Sequence, residues 1–351
     1  MKVDVLLARK LSPQHIAVWR TIQANNRALS SPYFCPEFTM LTAAARDSSQ
    51  GSVYVAVMQA EAGIAGFFPF WCGAKQKIAY PIAASLTDFQ GLIVSQDFEQ
   101  VHKLDTQMLL QQCGLSRWHF DHLLASQASF KHAYSSVLPS AAIDITAGYD
   151  AYMADRLTTN SGRFKGMARK RRKLAKDVGP LRYEAHVSDS AVLEQLLEWK
   201  SQQFERTGLD DLFALDWTRS LIQRIHATQS DGFAGMLSAL YAGDQLVAAH
   251  MGMRSADVWH YWLPSYDHRF SKFSPGLLLL ISMIEDAASR KMHTVDLGKG
   301  SDSYKPLFSN STTLVAEGCI ALPSLQWQLN LSAQKTSKAL RSLVRRYAFS
   351  R

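Results

Sequence analysis

The sequence predicts an α/β protein made of two copies of one unit. Residues 53–81 (VYVAVMQAEAGIAGFFPFWCGAKQKIAYP) and residues 236–264 (MLSALYAGDQLVAAHMGMRSADVWHYWLP) each read as three apolar strands, separated by polar or glycine turns and ending in proline. Aligned without a gap, the two stretches agree at three pairs of positions: Ala56 and Ala239, Ala65 and Ala248, Pro81 and Pro264. The identities are few, but the plan of strands and turns is shared throughout.

Each predicted meander is followed by a helix and then by a short apolar strand. In the first half the helical pattern covers residues 98–113 and the strand is RWHFDHLL; in the second half they are GLLLLISMIEDAASRK and HTVDLG. The order of three strands, helix and strand therefore occurs twice. A chain of 351 residues has room for two such domains of ordinary size.

The composition is that of a globular protein. With 47% hydrophobic and 19% charged residues, the chain can form packed cores, which excludes wholesale disorder. No apolar run approaches the roughly 18–20 residues of a membrane span. The apolar stretch in the first residues, MKVDVLLARKLSP, is shorter than that of a secretory signal. A cytoplasmic location is therefore expected. The four cysteines lie far apart without CxxC spacing, which predicts buried thiols rather than disulfides or a zinc site.

The net charge of +8 is concentrated between the two copies. Phe164, Met167 and Leu174 lie near one face of a predicted amphipathic helix that Gly179 and Pro180 end. Eight basic residues cover its other faces: Arg163, Lys165, Arg169, Lys170, Arg171, Arg172, Lys173 and Lys176. The charge favours an anionic partner without choosing among nucleotides, nucleic acid and an anionic membrane.

These patterns divide the chain into four parts. A first domain at 1–155 and a second at 181–325 are joined by a basic connecting helix at 156–180. A second basic amphipathic helix is predicted at 326–351, with Leu340, Leu343, Val344 and Tyr347 at helical spacing. Its apolar side either docks on the second domain, which we favour, or lies on an anionic membrane.

The segment SPG begins the predicted helix of the second copy. Ser274 is a candidate N-cap, Pro275 fits the first turn, and Gly276 lets a ligand approach the backbone. Helix N-termini attract anions, so this one could hold a pyrophosphate; an ordinary capped helix is the alternative. The equivalent segment of the first copy, VSQDFEQ, carries acids that would repel phosphate, so a cofactor site is expected in the second copy.

The stretch DLGKGSDSYKPLF predicts a catalytic loop at a strand end. Asp296 ends the strand, two glycines follow, Tyr304 can donate a proton, and Lys305 can neutralise a phosphate or an oxyanion. A turn with a solvated lysine is the alternative. The corresponding strand of the first copy carries Asp121 but neither the glycines nor the Tyr-Lys pair, which favours a function in the second copy.

Other candidate site residues come from both copies. His250, in AAHMG, is either a general base or a hydrogen-bonded core residue. Trp262 shares one side of the next strand with His260, which suits a substrate groove or a core. Glu37 in SPYFCPEF and Asp88 in SLTDFQGL lie in loops with Pro or Gly, where they either orient an acceptor substrate or cap turns.

Several well-known site motifs are absent from the sequence. It contains no GxxxxGK[ST], no GxGxxG after a strand, no HExxH and no GxSxG. This argues against a P-loop NTPase, a dinucleotide oxidoreductase, a zinc protease and an ordinary serine hydrolase.

The order of several segments resembles a known family. SPYFCPEF, IAGFFPF, TDFQGL, ARKRRKLAKDVGPL, LVAAHMG, SPGLLLL and DLGKGSDSYKPLF occur in the order typical of the CelD/BcsL-like acyltransferases of the GNAT superfamily, which are relatives of the FemAB peptidyltransferases. The resemblance covers roughly residues 30–320. It implies tandem GNAT-like domains, each a mixed, mainly antiparallel sheet flanked by helices.

The resemblance also implies that the two domains bind different substrates. The second domain would bind acetyl-CoA or another acyl-CoA, with the pyrophosphate on the backbone of Ser274, Pro275, Gly276 and Leu277, and the first would face the acceptor. The D-x-G…YK pattern of the family falls on Asp296, Gly298, Tyr304 and Lys305. The chain departs from the family in lacking both the Q/RxxGxG/A loop of single-domain GNAT enzymes and the long helical arm of Fem enzymes.

The function expected from the sequence is acyl transfer without a metal. An acyl group would pass from acyl-CoA to an amine, or less often a hydroxyl, of a sugar- or amine-containing precursor of the cell envelope or of an exopolysaccharide. His250 or Asp296 would accept the proton of the nucleophile, Tyr304 would protonate the thiolate, Lys305 would orient the substrate, and Glu37, Asp88 and Trp262 would contact the acceptor.

Contact with an anionic inner membrane or a polysaccharide synthase complex fits the basic helices. Two alternatives stay open: an aminoacyl-tRNA-dependent transferase, the only reading that calls for a nucleic acid, and a non-catalytic scaffold of a polysaccharide-synthesis complex.

Overall fold

The computed structural model describes residues 2–61, 63–96, 98, 104–208 and 210–323. The elements of the N-terminal half are β1 (Lys2–Leu7), α1 (Pro13–Ala24), α2 (Pro36–Arg46), β2 (Gly51–Ala60), β3 (Gly63–Gly73), β4 (Ile78–Tyr80), β5 (Ile93–Val94), α3 (Thr106–Gln112), β6 (Arg117–Leu124) and β7 (Tyr134–Asp144). Those of the C-terminal half are α4 (Tyr149–Asp177), β8 (Leu181–Glu184), α5 (Ser190–Thr207), α6 (Asp216–Ala227), β9 (Ala234–Ala242), β10 (Gln245–Arg254), β11 (Val258–Tyr266), α7 (Pro275–Ser289), β12 (Thr294–Lys299), α8 (Lys305–Phe308) and β13 (Ser311–Ala321).

The two halves repeat one topology. Strands β2, β3 and β4 form an antiparallel meander, as do β9, β10 and β11. In the first half the chain then passes through α3 into β6, which is parallel to β4; in the second half it passes through α7 into β12, which is parallel to β11. The predicted α/β repeat is confirmed.

Local sequence signals explain where several helices begin and end. The carboxylate of Asp105 accepts hydrogen bonds from the first N–H groups of α3, and that of Asp189 does the same for α5. Gly208 ends α5 in the left-handed conformation, with φ of 66°, which glycine adopts without steric cost. These caps fix the helix ends before any tertiary contact is made.

The two halves share a single sheet. The strand order among the described residues is β1-β2-β3-β4-β6-β13-β7-β12-β11-β10-β9-β8, and β5 pairs with β3. The last strand of the chain, β13, lies between β6 and β7 of the N-terminal half, whereas β7 pairs with β12 of the C-terminal half. Backbone hydrogen bonds therefore fix the relative position of the halves.

One hydrophobic core crosses the boundary between the halves. It contains Trp19 and Phe38 of the N-terminal half together with Leu221 and Phe233 of the C-terminal half, all fully buried, and α2 packs against α6. Two further cores lie within the halves, one beneath α4 and α7 and one between β3 and β6. Burial of each side chain of this size contributes about 1.5–3 kcal/mol to the stability of the folded state. Separating the halves would therefore cost a large amount of free energy.

The basic connecting helix predicted at 156–180 corresponds to α4, which begins earlier, at Tyr149, and ends at Asp177. A break at Asn160 (φ −138°, ψ 34°) divides α4 into two parts. In the second part Phe164, Met167 and Leu174 are buried in the core beneath α7, and the eight basic residues are exposed. The helix predicted at 326–351 lies outside the described residues.

In the described part of the chain, no helix combines the length and the apolar character needed to cross a membrane.

Candidate active site

Strands β11 and β12 separate at the point where the predicted site residues meet. They pair in parallel from Val258 and Thr294 as far as His260 and Asp296, and have no further paired residues beyond that point. Two strands that part in this way leave backbone groups free for a ligand. The N-terminus of α7 follows the end of β11.

Three β-bulges surround this gap. Tyr261 and Trp262 of β11 face Gly252 alone, Leu297 is the extra residue of β12, and Asp121 with His122 of β6 face Glu317 alone. A bulge turns side chains away from the strict alternation of a strand, and bulges are common beside active sites. The bulges therefore bring into one place polar side chains that a regular strand would separate.

A buried imidazole joins carboxylates of the two halves at the gap. His260 is fully buried; its Nε2 lies 2.9 Å from Asp88 Oδ2 and its Nδ1 lies 3.5 Å from Asp296 Oδ1. Burial disfavours the charged ring, but the two carboxylates outweigh it and raise the pKa of His260 to about 9. His260 is thus an imidazolium at neutral pH, and we call Asp88, His260 and Asp296 the acid–imidazolium clamp.

The two carboxylates of the clamp are held by different means. Asp296 Oδ1 accepts a hydrogen bond from the Gly298 N–H at 2.6 Å. Burial raises the pKa of Asp88, but its hydrogen bond with His260 outweighs that cost and places the pKa below the usual value. Asp88 is therefore ionised beside the imidazolium.

Gly298 is the closest backbone neighbour of the clamp. Its φ is +73°, and a Cβ at this position would lie 3.2 Å from Asp88 Oδ2 and 3.5 Å from His260 Cε1. Glycine is therefore required both for the conformation and for the space.

Gly298→Ala is expected to cost about 1–3 kcal/mol of stability and to lower the pKa of His260, because the new methyl group strains the backbone and pushes Asp88 away. Urea unfolding and an NMR titration of His260 measure the two effects. Gly114→Ala is the matched control, since Gly114 has a φ of +67° and no atom within 4 Å of the added Cβ. Equal losses in the two variants would contradict the contact with Asp88.

Aromatic side chains cover the clamp on the N-terminal side. The ring of Tyr33 packs edge-on against His260 at 5.0 Å and against Trp262 at 6.3 Å. Burial, followed by the charges of Asp88 and Asp296, raises the pKa of the Tyr33 hydroxyl well above its usual value. The predicted acceptor residues Asp88 and Trp262 thus lie together, whereas Glu37 forms an ion pair with Arg20 of α1.

Lys305 fastens the loop after β12. Its Nζ donates to the carbonyl oxygens of Gly298 at 3.2 Å and Lys299 at 3.0 Å, and forms an ion pair with Asp302 at 3.1 Å. The side chain is 5% exposed, so these bonds take up its three donors away from bulk water. Lys305 fixes the segment that carries Gly298.

Tyr304 and His250 lie on the opposite side of β11, around Tyr261. The ring of Tyr304 is edge-on to Tyr261 at 6.3 Å, and burial followed by the charge of Asp302 raises the pKa of its hydroxyl. His250 stacks on Tyr261 at 4.4 Å, and its Nε2 accepts a hydrogen bond from the Trp262 N–H at 3.0 Å. Burial lowers the pKa of His250 well below its usual value, so the ring is neutral.

The start of α7 differs from an ordinary cap. Ser274 has φ of 55° and ψ of 52°, and its side chain caps no N–H of the helix. Its Oγ instead accepts a hydrogen bond from Lys170 Nζ of the basic helix α4 at 2.7 Å. Pro275 and Gly276 open the helix, and Leu277 donates its N–H to the Ser274 carbonyl. The charge of Lys170 thus lies at the N-terminus of α7, and the charge and the helix N-terminus each favour the binding of an anion.

A cleft of about 1290 Å³ lies in the N-terminal half and is lined in part by residues of β13. Its walls carry the stacked rings of Tyr80 and His119, 5.4 Å apart, and the carboxylates of Asp121 and Glu317. Arg46, also on the wall, lies between the rings of Trp71 and Trp217 at 4.3 and 4.8 Å. One residue of its wall, Asp121, is the strand neighbour of His122, which faces Asp88 of the clamp.

The sequence patterns pointed to only part of this cluster. Asp88, Trp262, Asp296 and Lys305 come together as predicted candidates, but His260 was only a groove or core residue, and Tyr33 and His122 were not singled out. The signal available for His122 was its place in RWHFDHLL beside Asp121, the counterpart of Asp296. Among the described residues, no group of three or more His, Cys, Asp or Glu side chains is arranged to bind a metal.

The region that contains this gap between strands matches a known family of domains. Residues 161–306 match the family model of the acetyltransferase (GNAT) domain, a domain type that uses acyl-CoA. The N-terminal half repeats the order of strands and helices of this matched region. No curated protein matches the chain.

Solved structures show the same fold over nearly the whole length. FemX matches with a TM-score of 0.60 and 12% identity, covering 93% of this chain and 99% of FemX. The C-terminal domain of an Agrobacterium fabrum protein assigned as a lysylphosphatidylglycerol synthetase matches with a TM-score of 0.54 and 12% identity, over 92% of this chain and 96% of that one. A Bacteroides thetaiotaomicron protein of unknown function matches with a TM-score of 0.54 and 12% identity, over 86% and 97%.

Proposed function

We propose that this protein transfers an acetyl or other acyl group from acyl-CoA to an amine, or less often a hydroxyl, of a cell-envelope or exopolysaccharide precursor. The observation that carries the proposal is the acid–imidazolium clamp at the gap between β11 and β12 of the GNAT domain. Asp88 of the N-terminal half completes a site whose other members belong to the C-terminal half. Donor and acceptor would meet where the halves meet.

The donor binds along the gap, with its pyrophosphate at the start of α7. Of the predicted phosphate-binding residues Ser274, Pro275, Gly276 and Leu277, Pro275 has no N–H, and the N–H groups of Ser274 and Leu277 already donate to backbone carbonyls. The Gly276 N–H would therefore donate to the phosphates, and Lys170 adds a charge from α4. Placing the pyrophosphate on these groups leaves the thioester beside the backbone of β11, where N–H groups polarise its carbonyl.

The side chains around the gap have different roles in the proposed reaction. Tyr304 keeps its proton at neutral pH because burial raises its pKa, so it can protonate the departing thiolate. Lys305 positions the loop of Gly298 rather than the substrate, since its donors are occupied. His250 supports the bulge of β11 through the Trp262 N–H, and Asp296 holds His260. The acceptor approaches over Trp262 and Asp88.

The donor is tested by thermal unfolding of the full chain with acetyl-CoA. A ligand present at about 100 times its Kd stabilises the folded state by about 2.7 kcal/mol, so millimolar acetyl-CoA should raise the Tm even when binding is weak. Absence of any shift with acetyl-CoA or CoA would refute acyl-CoA as the donor.

Lys170→Met is expected to weaken acetyl-CoA binding about tenfold, because it removes a charged donor worth about 1.4 kcal/mol from the phosphate site. Isothermal titration measures the change. Lys165→Met is the control, since five residues along a helix place Lys165 on nearly the opposite side. An equal loss of acetyl-CoA affinity in both variants would show that the overall positive charge of α4, and not a direct contact of Lys170, strengthens binding.

A second candidate donor is an aminoacyl-tRNA. The exposed basic face of α4 and the shared fold with FemX favour it. tRNA that copurifies and dissociates steeply with salt would support this donor, and retained acetyl-CoA binding without RNA would favour acyl-CoA. A non-catalytic scaffold would be indicated if substitution of Asp296 left the cellular phenotype intact.

A further inference from the structure

Three histidines lie in or beside the clamp, and two of them, His250 and His260, cannot accept a proton from a nucleophile. The Nε2 lone pair of His250 is occupied by the Trp262 N–H at 3.0 Å. His260 has a carboxylate at each ring nitrogen and already carries a proton, since its pKa is about 9. A general base for acyl transfer must therefore be found elsewhere in the site.

His122 has the arrangement that a base requires. Its Nδ1 lies 3.1 Å from Asp121 Oδ1, and its Nε2 lies 3.9 Å from Asp88 Oδ1. No hydrogen bond of good geometry joins Nδ1 to Asp121, but the negative charge at this distance favours the tautomer with its proton on Nδ1 and its lone pair on Nε2. Nε2 forms no hydrogen bond with any described residue, and 3.9 Å is too long for a direct bond to Asp88.

The carboxylate behind His122 is itself held in place. Gln90 is buried; its Nε2 donates to Asp121 Oδ1, and its Oε1 accepts from the Asp121 N–H at 3.1 Å. Neighbouring residues of a regular strand point to opposite faces, so Asp121 and His122 could not meet there. The bulge opposite Glu317 allows the contact.

His122 also stands between the two places where the substrates would bind. Its strand neighbour Asp121 lines the cleft of the N-terminal half, and its own Nε2 faces the clamp at the gap between β11 and β12. Lys299 donates to the Asp121 carbonyl and to Glu317 at 2.8 Å each, which closes the wall between the cleft and the loop after β12. His122 is 9% exposed, so bulk water does not compete for its ring.

We propose that His122 is the general base of the transfer, that Asp121 positions its ring, and that the cleft of the N-terminal half holds the acceptor. This inference rests on the proposed acyl transfer. The acceptor is an amine on a polar, hydroxylated body such as a sugar, because aromatic rings and carboxylates line the cleft.

The proposed step is balanced. The amine nitrogen bonds to the thioester carbonyl carbon, the C–S bond breaks, and the amine proton passes to His122 Nε2. The thiolate takes a proton from Tyr304 or from solvent and leaves as free CoA thiol. His122 then returns its proton to solvent through the cleft.

The kinetic test uses the full chain with acetyl-CoA and glucosamine as the probe amine, and follows release of CoA thiol from pH 6 to 9.5. His122→Gln is expected to lower kcat about 10²–10³-fold, because a positioned base contributes about that much. The thermal shift with acetyl-CoA should not change. Asp121→Asn should give an intermediate loss.

His293→Gln is the matched control, since His293 and Asp257 form a similar imidazole–carboxylate pair at 3.4 Å on the surface. It should keep kcat within about threefold. A His122→Gln enzyme with the wild-type rate and pH profile would overturn the assignment, although the proposed acyl transfer would stand.

A second measurement needs no acceptor. ¹⁵N NMR of the ring nitrogens at pH 8.5 should show His122 with its proton on Nδ1, and Asp121→Asn should mix the two tautomers. A proton on Nε2 of His122 in the wild type would overturn the proposal. Because this reading does not depend on turnover, it separates failure of the base from failure of acetyl-CoA to bind.

Discussion

Asp88→Asn is expected to lower the free energy of unfolding by about 3 kcal/mol at pH 7 and to lower the pKa of His260. Removing one partner of a buried ion pair costs roughly 3–5 kcal/mol, because the remaining charge is left without compensation. The loss should fall at the lower end of that range, since the Asp88 side chain is 23% exposed and the imidazolium of His260 keeps Asp296 at 3.5 Å. Urea unfolding gives the stability, and an NMR titration gives the pKa.

The control for this variant is Asp4→Asn. Asp4 pairs with Lys2 at 3.2 Å, but both side chains are largely exposed, so the pair should contribute less than about 1 kcal/mol. If Asp88→Asn also changed the stability by less than 1 kcal/mol, the clamp would not join the halves. The comparison separates a buried pair across the boundary from an ordinary surface pair.

The stability contributed by His260 should disappear as the pH rises through about 9. The folded pKa of about 9 lies above the ordinary value of 6.5, so the folded state binds the proton more tightly than the unfolded chain. The contribution is fully present below about pH 6.5 and declines above it. The difference between the two pKa values corresponds to roughly 3 kcal/mol.

A double variant isolates this effect from other titrations. Lys200 acts in the opposite sense, because burial lowers its pKa to about 8 and stability rises as it loses its proton. Subtracting the pH profile of the His260→Gln, Asp88→Asn double variant from that of the wild type removes the contribution of Lys200. A difference that stays flat from pH 6.5 to 10 would show that His260 is not protonated in the folded protein.

The repeat and the helix signals were predictable because they are local. Apolar runs separated by polar or glycine turns at 53–81 and 236–264 indicate strands wherever the chain goes. Asp189 and Gly208 fix the ends of α5 by bonds and backbone angles within a few residues. The exchange of β7 and β13 between the halves has no such local signal, because it depends on which strand edges are free after the rest of the sheet has formed.

In the candidate site, too, some features can be predicted from the sequence and others only from the structure. Asp296 and the glycines after it stand out in the sequence because a strand end with an acid and two glycines is unusual. Lys305 also stood out, but only the structure shows that its amine is occupied by the carbonyls of Gly298 and Lys299. A sequence reveals that a lysine is present; the burial and partners of its amine follow from packing.

The sequence by itself determined the two α/β units, the basic helix between them and the glycine-rich loop. Each of these features depends on residues that are close together along the chain. Tertiary structure alone decided that Asp88 meets His260, 172 positions away, and that His122 faces both Asp121 and Asp88. The charge state of an imidazole depends on the carboxylates around it and on the exclusion of water. Both are properties of the assembled sheet and not of either half.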